Sequence, residues 1–113
     1  MKMTFGQYLL ELRKSKRKSQ RDLANAIGVS FTYISKIENG VFPAPSEETL
    51  IKIAQYLNED VDTMIMMANK VPTDLKEIIT SEPGMPDFLR SVSLDELKKL
   101  KKIYEEQKEL GDK

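Results

Sequence analysis

One short segment holds a group of side chains that could contact the edges of base pairs. Phe31, Thr32, Ser35 and Lys36 are spaced so that they share one side of an α-helix. Thr32 offers a hydroxyl and a methyl group, and Lys36 can donate hydrogen bonds to guanine O6 and N7. Phe31 has no hydrogen-bonding group, so its ring predicts apolar contact with a thymine methyl. The alternative is that the ring packs against Tyr33 or against the preceding helix.

Two short amphipathic helices joined by a turn would position these side chains. In the first helix, Leu23, Ala24 and Ile27 lie three and four residues apart and share one face. Gly28 supplies the left-handed residue that ends this helix. Ser30 is a natural N-cap for the second helix, which buries Ile34 and Ile37. The pattern predicts a helix-turn-helix that presents its second helix to the major groove of DNA.

Cap residues and apolar periodicity predict further helices on both sides of this segment. Thr4 and Ser93 begin capping boxes, and Ser19, Ser46 and Asp60 are natural N-caps. Together with the helix-turn-helix, they predict five short helices within residues 1–70. A helical extension over 71–113 follows, in which we expect helices over 72–81, 87–92 and 94–110.

Composition excludes several classes of protein. The chain has 113 residues, no cysteine and no histidine. It therefore lacks disulfides, thiolate zinc sites and the commonest general base, and no nucleophile–base pair, phosphate loop or metal-ligand cluster is visible. We expect no enzymatic activity, no metal and no cofactor. No secretory leader and no apolar stretch of about 20 residues is visible, so we expect a cytoplasmic protein with no membrane partner.

The net charge of zero hides an uneven distribution. Residues 1–45 contain eight basic and three acidic residues, whereas 46–113 contain ten basic and fifteen acidic residues. The positive half is the half with the predicted helix-turn-helix. A positive surface favours binding to a phosphate backbone, although an ordinary solvated surface is the alternative.

The helix-turn-helix segment resembles the Cro/C1 (XRE) family of bacterial and phage repressors. The residues that carry the resemblance are Ser19-Gln20, Leu23-Ala24, Gly28-Val29-Ser30, Tyr33-Ile34-Ser35 and Ile37-Glu38-Asn39-Gly40. The resemblance implies an all-α fold, with a five-helix lambda-repressor-like DNA-binding domain over 1–70. Many family members have glutamine where this chain has Phe31, which is a departure from the family pattern.

The resemblance also implies roles for residues outside the base-contacting face. It assigns phosphate contacts to Ser19, Gln20, Tyr33 and Asn39, since helix N-termini present N–H groups to anions. In the family, an arginine of the first helix pairs with a glutamate near the end of the third, and Arg13 and Glu38 match these positions. This ion pair would fix the recognition helix to the rest of the domain.

The extension over 71–113 is the expected dimerisation element. Repressors of this kind bind as dimers, so that two recognition helices meet the groove about one helical turn apart. The last predicted helix carries an apolar stripe formed by Leu94, Leu97, Leu100, Ile103 and Tyr104. The alternative is that the extension folds back on its own domain.

A narrower resemblance concerns regulation. Five groups of residues resemble repressors of the DdrO type: Thr4-Phe5-Gly6, Phe42-Pro43, Pro45-Ser46-Glu47-Glu48, Ala68 with Lys70-Val71-Pro72, and Pro86 with Phe88-Leu89-Arg90. These are controlled by a partner metalloprotease of the ImmA/IrrE type, which cuts the C-terminal segment and destroys dimerisation. The resemblance implies such a protease partner here, with Leu89–Arg90 as the candidate scissile bond. The alternative is that Phe88 and Leu89 are core residues.

The sequence therefore predicts a transcriptional repressor that binds a palindromic operator in double-stranded DNA as a homodimer and is inactivated by proteolysis. An antitoxin or a SinR-like regulator held by a protein antagonist is the alternative within DNA binding. A protein-interaction module without DNA binding is the alternative from another class.

Overall fold

A computed structural model describes residues 3–111 of the chain. These residues form eight α-helices and no strand, so the predicted all-α class is confirmed. The helices are α1 (Phe5–Ser15), α2 (Gln20–Ile27), α3 (Phe31–Glu38), α4 (Glu47–Tyr56), α5 (Val61–Met67), α6 (Thr73–Ser81), α7 (Met85–Ser91) and α8 (Leu94–Gly111). The chain divides into a first unit that ends at Thr73 and a second unit that begins at Asp74.

Side-chain caps start most of the helices, as predicted. Thr4 and Gln7 form a capping box on α1, and Ser19 and Asp22 form one on α2. Ser30, Ser46 and Asp60 each accept a hydrogen bond from the third backbone N–H of α3, α4 and α5. Each cap satisfies a donor that the helix itself leaves unpaired. The caps therefore set where each helix begins.

One predicted helix start is wrong. We expected the short helix before Ser93 to run from Asp87 to Val92, but α7 begins at Met85 and ends at Ser91. Pro86 lies in its first turn, where the missing N–H of proline has no intrahelical partner to lose. The proline therefore belongs to the helix instead of preceding it.

The first unit encloses a small apolar core. It is formed by the inward faces of α1 to α5 and by Leu57, and its members are Leu9, Leu23, Ala24, Ile27, Ile34, Ile37, Leu50, Ile53, Ala54, Leu57, Met64 and Ile65. Near the end of this unit, Lys70 Nζ donates to the backbone oxygen of Pro45 at 2.9 Å, which ties the segment after α5 to the loop before α4. The two helices of the helix-turn-helix are thus built into a packed domain.

The second unit has a different character. None of the residues of α6, α7 or α8 is buried. Its large exposed apolar side chains are Leu75, Ile78, Phe88, Leu94, Leu100, Ile103, Tyr104 and Leu110. The described residues of this unit therefore do not enclose a core comparable to that of the first unit.

Candidate nucleic-acid interface

The turn between α2 and α3 has the geometry that its sequence predicts. Gly28 adopts φ +75° and ψ 33°, and its left-handed conformation ends α2. Backbone N–H groups of Gly28 and Val29 both donate to the carbonyl of Ala24, which satisfies an oxygen at the end of the helix. Ser30 then begins α3. The turn therefore joins the end of α2 directly to the start of α3.

The face of α3 that points away from the core carries the predicted base-contacting residues. Phe31, Thr32 and Lys36 are exposed, while Ser35 is half-buried. Asn39 is exposed just after the helix, and its Nδ2 donates to Ser35 Oγ at 3.4 Å. On the opposite face Ile34 and Ile37 are fully buried. The arrangement leaves one face of α3 exposed, as is required of a helix that enters the major groove of DNA.

A buried ion pair connects this helix to α1. The guanidinium of Arg13 donates to both carboxylate oxygens of Glu38, through Nε and Nη2, each at 2.8 Å. Both side chains are largely withdrawn from solvent, with 8% and 2% of their surface exposed. Hydrogen bonding to Glu38 raises the pKa of Arg13 against the opposing effect of burial. A third bond runs from Arg13 Nη1 to the backbone oxygen of Lys18 at 2.9 Å, which adds the α1–α2 loop.

The structure places Gln20 in this network. Its Nε2 donates to Glu38 Oε1 at 2.9 Å, and the side chain is half-buried. The resemblance implied a phosphate contact for Gln20, but its side-chain amide group is turned inward here. Backbone N–H groups at the start of a helix are also donors that can bind a phosphate. Glu38 therefore joins α1, α2 and α3 at a single carboxylate.

Ser19 is engaged at the start of α2. Its Oγ accepts from the backbone N–H of Asp22, and its own N–H donates to the Asp22 carboxylate, both at 2.9 Å. The backbone bond from Ser19 is the main reason that the pKa of Asp22 lies below its usual value. The cap thus orders the first turn of α2, where a phosphate contact is expected.

Aromatic contacts distinguish the two packing alternatives for Phe31. The ring of Tyr33 packs against Phe42, with centroids 6.0 Å apart. Phe31 instead lies under Arg21 of α2, whose Cζ is 4.7 Å from the ring centroid. The ring is still 40% exposed. Sequence reasoning missed Arg21 because nothing in the spacing indicates which side chain crosses the turn.

Lys36 and Lys18 also lie over aromatic rings. Lys36 Nζ is 5.1 Å from the ring centroid of Phe42, and Lys18 Nζ is 5.5 Å from that of Tyr56. Such contacts orient a cation without using its N–H donors. The lysine predicted to contact bases is thus held beside the loop that follows α3.

Gly6 is a second residue that sequence reasoning missed. It is buried in α1, and a Cβ atom built there would lie 2.5 Å from the carbonyl oxygen of Ile37 and 2.7 Å from that of Glu38. Only glycine allows α1 to approach the end of α3 this closely. A glycine in the middle of a predicted helix was the available signal, because glycine there costs helix stability unless packing requires it.

The other predicted sites lie in the second unit. Leu89 and Arg90 are in α7, where Leu89 is half-buried and Arg90 pairs with Asp87 at 2.9 Å. Of the predicted dimerisation residues on α8, only Leu97 is half-buried, while Leu94, Leu100, Ile103 and Tyr104 are exposed.

Residues 3–111 lack two further features, a metal-binding cluster and a helix that could span a membrane. No group of three or more acidic side chains in this part of the chain could hold a metal ion. None of the helices described there is long and apolar enough to cross a membrane.

Known proteins resemble this arrangement. The helix-turn-helix family HTH_3 matches residues 9–64. The ImmF control region 10 kDa protein of Bacillus phage phi105 is 41% identical over 61 residues, which are 54% of this chain and 67% of that protein. The uncharacterized HTH-type transcriptional regulator RghRB of Bacillus subtilis (strain 168) is 34% identical over 80 residues, which are 71% of this chain and 58% of that protein.

A solved structure extends the likeness to a complex with DNA. The crystal structure of SinR, the master regulator for biofilm formation, in complex with DNA superposes with a TM-score of 0.51 and 34% sequence identity. The match covers 54% of this chain and 97% of that chain. The likeness therefore involves a segment about the size of the first unit.

Proposed function

This chain belongs to the HTH_3 (XRE-type) helix-turn-helix family of DNA-binding transcriptional regulators, and we propose that it is a repressor that binds a palindromic operator as a homodimer. One observation carries the proposal beyond the family. The packed helix-turn-helix unit is followed by helices that leave eight large apolar side chains exposed. A DNA-binding module is thus joined to a surface suited to association.

The proposed DNA contacts follow from the open face of α3. Thr32, Ser35 and Lys36 contact base edges, with hydroxyl, methyl and ammonium groups that can distinguish base pairs in the major groove. The start of α2 and the region around Tyr33 and Asn39 contact phosphates, which fix the register of the protein on the duplex. The excess of basic residues before residue 46 supports this assignment.

The proposed occupant of the exposed apolar surface is a second copy of the same chain. Four apolar side chains of α8 are between 48% and 67% exposed, namely Leu94, Leu100, Ile103 and Tyr104. An apolar stripe this long is unfavourable in water unless it is covered. A two-fold interface lets the same stripe cover itself on a partner, and it presents two recognition helices to two half-sites.

Proteolysis is the proposed means of release. Cleavage between Leu89 and Arg90 would separate α8 from the DNA-binding unit and so remove the dimer interface. The bond lies within α7, a helix of only seven residues. A helix this short has little stability of its own, so it can unwind to the extended form that a protease requires.

Selection of bound duplexes from a random DNA pool tests the proposal. The wild type is compared with Thr32→Ala/Lys36→Ala, and the matched control is Thr80→Ala/Lys76→Ala, which removes the same residue types from α6. We expect a palindromic motif with half-sites about one helical turn apart, lost in the first variant and kept in the control. No enrichment by the wild type would contradict a sequence-specific regulator.

Incubation with a purified ImmA/IrrE-type metalloprotease, followed by mass spectrometry, tests the mode of release. We expect fragments that end at Leu89 and begin at Arg90. A chain that stays intact would contradict the cleavage step, and control by an antagonist protein that binds the exposed stripe of α8 would replace it.

A further inference from the structure

We infer that Arg21 contacts a guanine in the operator and that Phe31 serves as the platform that holds its guanidinium in place. This inference rests on the proposed function, since it assigns a base-specific contact within the proposed operator complex. It changes the role of Phe31 from a residue that contacts DNA by itself to one that orients another side chain.

The two side chains meet where both helices of the DNA-binding motif begin. Arg21 is the second residue of α2, and Phe31 is the first residue of α3. The guanidinium carbon lies 4.7 Å from the ring centroid, within the range of a cation–π contact. Both residues are exposed. The contact thus holds the charge of Arg21 beside the first turn of the recognition helix.

The hydrogen-bond donors of Arg21 remain unused. Within residues 3–111 its guanidinium forms no hydrogen bond and no ion pair, and it lies over the ring of Phe31. Arg13 is the opposite case, because Glu38 and a backbone oxygen take donors from all three of its nitrogens. The neighbouring carboxylate of Asp22 is engaged with Ser19. Arg21 is therefore a positioned cation with donors available for a ligand.

The position of this cation favours a base over a phosphate. The N-terminal residues of a recognition helix lie nearest the base edges, whereas the N-terminus of the preceding helix meets the backbone. Arg21 belongs to α2, but its guanidinium contacts the ring of Phe31 at the start of α3, where bases are expected to be contacted. Arginine donates two parallel hydrogen bonds to guanine O6 and N7, the commonest specific contact in the major groove.

The platform lowers the cost of making such a contact. A free arginine loses rotamer freedom when it is fixed against a base, and this loss opposes binding. The ring of Phe31 restricts the side chain before DNA arrives and leaves the N–H donors available, because the cation–π contact uses the face of the ring. Phe31, which has no hydrogen-bonding group of its own, thus contributes to specificity by orienting Arg21.

Selection from a random duplex pool with four variants tests the inference. Arg21→Ala removes the guanidinium, and Arg21→Lys keeps the charge and the ability to donate but removes the planar fork of the guanidinium. Phe31→Leu removes the ring but keeps an apolar side chain. Lys14→Ala, at an exposed position in α1, removes the same charge away from the proposed contact. Because these positions are exposed, the variants should fold, which thermal melting verifies.

We expect the preference for one guanine in each half-site to fall by roughly tenfold or more in Arg21→Ala, and to fall by less in Arg21→Lys, because an ammonium group can still donate to guanine O6 and N7. Phe31→Leu should lower the preference for the same guanine, and Lys14→Ala should leave the motif unchanged. The inference would be overturned if Arg21→Ala bound all duplexes uniformly more weakly with an unchanged motif. In that case the slope of log affinity against log salt concentration would also fall by about one, which would identify a phosphate contact.

Two further outcomes would also overturn it. A motif and an affinity that are the same in wild type and in Arg21→Ala would show that the side chain does not contact a base. If Phe31→Leu lost the preference for a thymine in the motif, and not the preference for a guanine, the ring would contact DNA directly. Absence of any motif with the wild type would contradict the proposed function itself, which distinguishes the two failures.

Discussion

At the scale of single residues, Glu38 connects the stability of the domain with the position of its recognition helix. Its carboxylate accepts hydrogen bonds from Arg13 and Gln20 while only 2% of the side chain is exposed. We expect Glu38→Gln to lower the free energy of unfolding by about 3 kcal/mol, because removal of one charge leaves the other buried and uncompensated. Thermal unfolding should show a melting temperature lower by about 10 °C or more.

The matched control for this substitution is Glu11→Gln, which removes an exposed carboxylate from α1. It should change the melting temperature by no more than a few degrees, since surface charges contribute about 1 kcal/mol or less. Equal melting temperatures for wild type and Glu38→Gln would mean that the buried pair does not stabilise the domain.

Gly6 gives the second prediction at this scale. Gly6→Ala places a methyl group against two backbone carbonyls of α3, which cannot rotate away as a side chain could. We expect the variant to lose about 1–3 kcal/mol of stability, the usual range for overpacking, as measured by chemical denaturation. Gly84→Ala is the control, because an added Cβ there meets nothing within 4 Å. A Gly6→Ala protein as stable as the wild type would argue against close approach of α1 to α3.

The site residues that could be predicted from the sequence are marked either by a local pattern or by the resemblance to a known family. The face of α3 follows from helical periodicity, and the pairing of Arg13 with Glu38 was implied by the resemblance. Arg21 over Phe31 and Gly6 against Ile37 depend on how helices meet, at sequence separations of about 10 and 30 residues. Periodicity gives the face on which a side chain lies, but not the partner that it meets across a turn.

At the scale of elements, the caps couple helix stability to pH. A hydrogen bond from the backbone of Ser19 lowers the pKa of Asp22, and one from Thr63 lowers that of Asp60. A carboxylate with a lowered folded-state pKa stabilises the fold above its unfolded-state pKa. This contribution is lost as the pH falls through the folded-state pKa. The caps should therefore weaken below about pH 4.

Asp22→Asn tests this coupling. We expect the variant to be less stable than the wild type at neutral pH, and the two free energies of unfolding to converge as the pH falls below about 4. Denaturant titrations over a series of pH values measure the difference. A difference that stays constant at every pH would contradict a contribution from the ionised cap.

Element boundaries were predictable where a side chain sets them. Ser19, Ser30, Ser46 and Asp60 are all caps in the structure, because short polar side chains bond the backbone within three residues. The start of α7 was not predictable in this way. Gly84 precedes it without a side-chain cap, so no residue type marks the boundary.

At the scale of the whole molecule, the exposed stripe of α8 determines the proposed oligomeric state. We expect Leu100→Ser/Ile103→Ser to convert a dimer into a monomer, because it removes apolar surface from the proposed interface. The control Lys98→Ser/Lys102→Ser alters the same helix at exposed charged positions and should remain dimeric. Sedimentation equilibrium measures both masses. A wild type that is monomeric at the concentrations used for DNA binding would contradict the proposed dimer.

The most direct test of the account is to change the distance between the two halves of the operator recovered by selection. Insertion of about 5 base pairs, half a helical turn, should reduce wild-type affinity to that of a single half-site, because the second half-site then faces away from the dimer. The Leu100→Ser/Ile103→Ser variant should bind weakly and be indifferent to the insertion. Wild-type affinity that does not change with the spacing would mean that each DNA-binding unit acts alone, which contradicts a repressor built as a dimer.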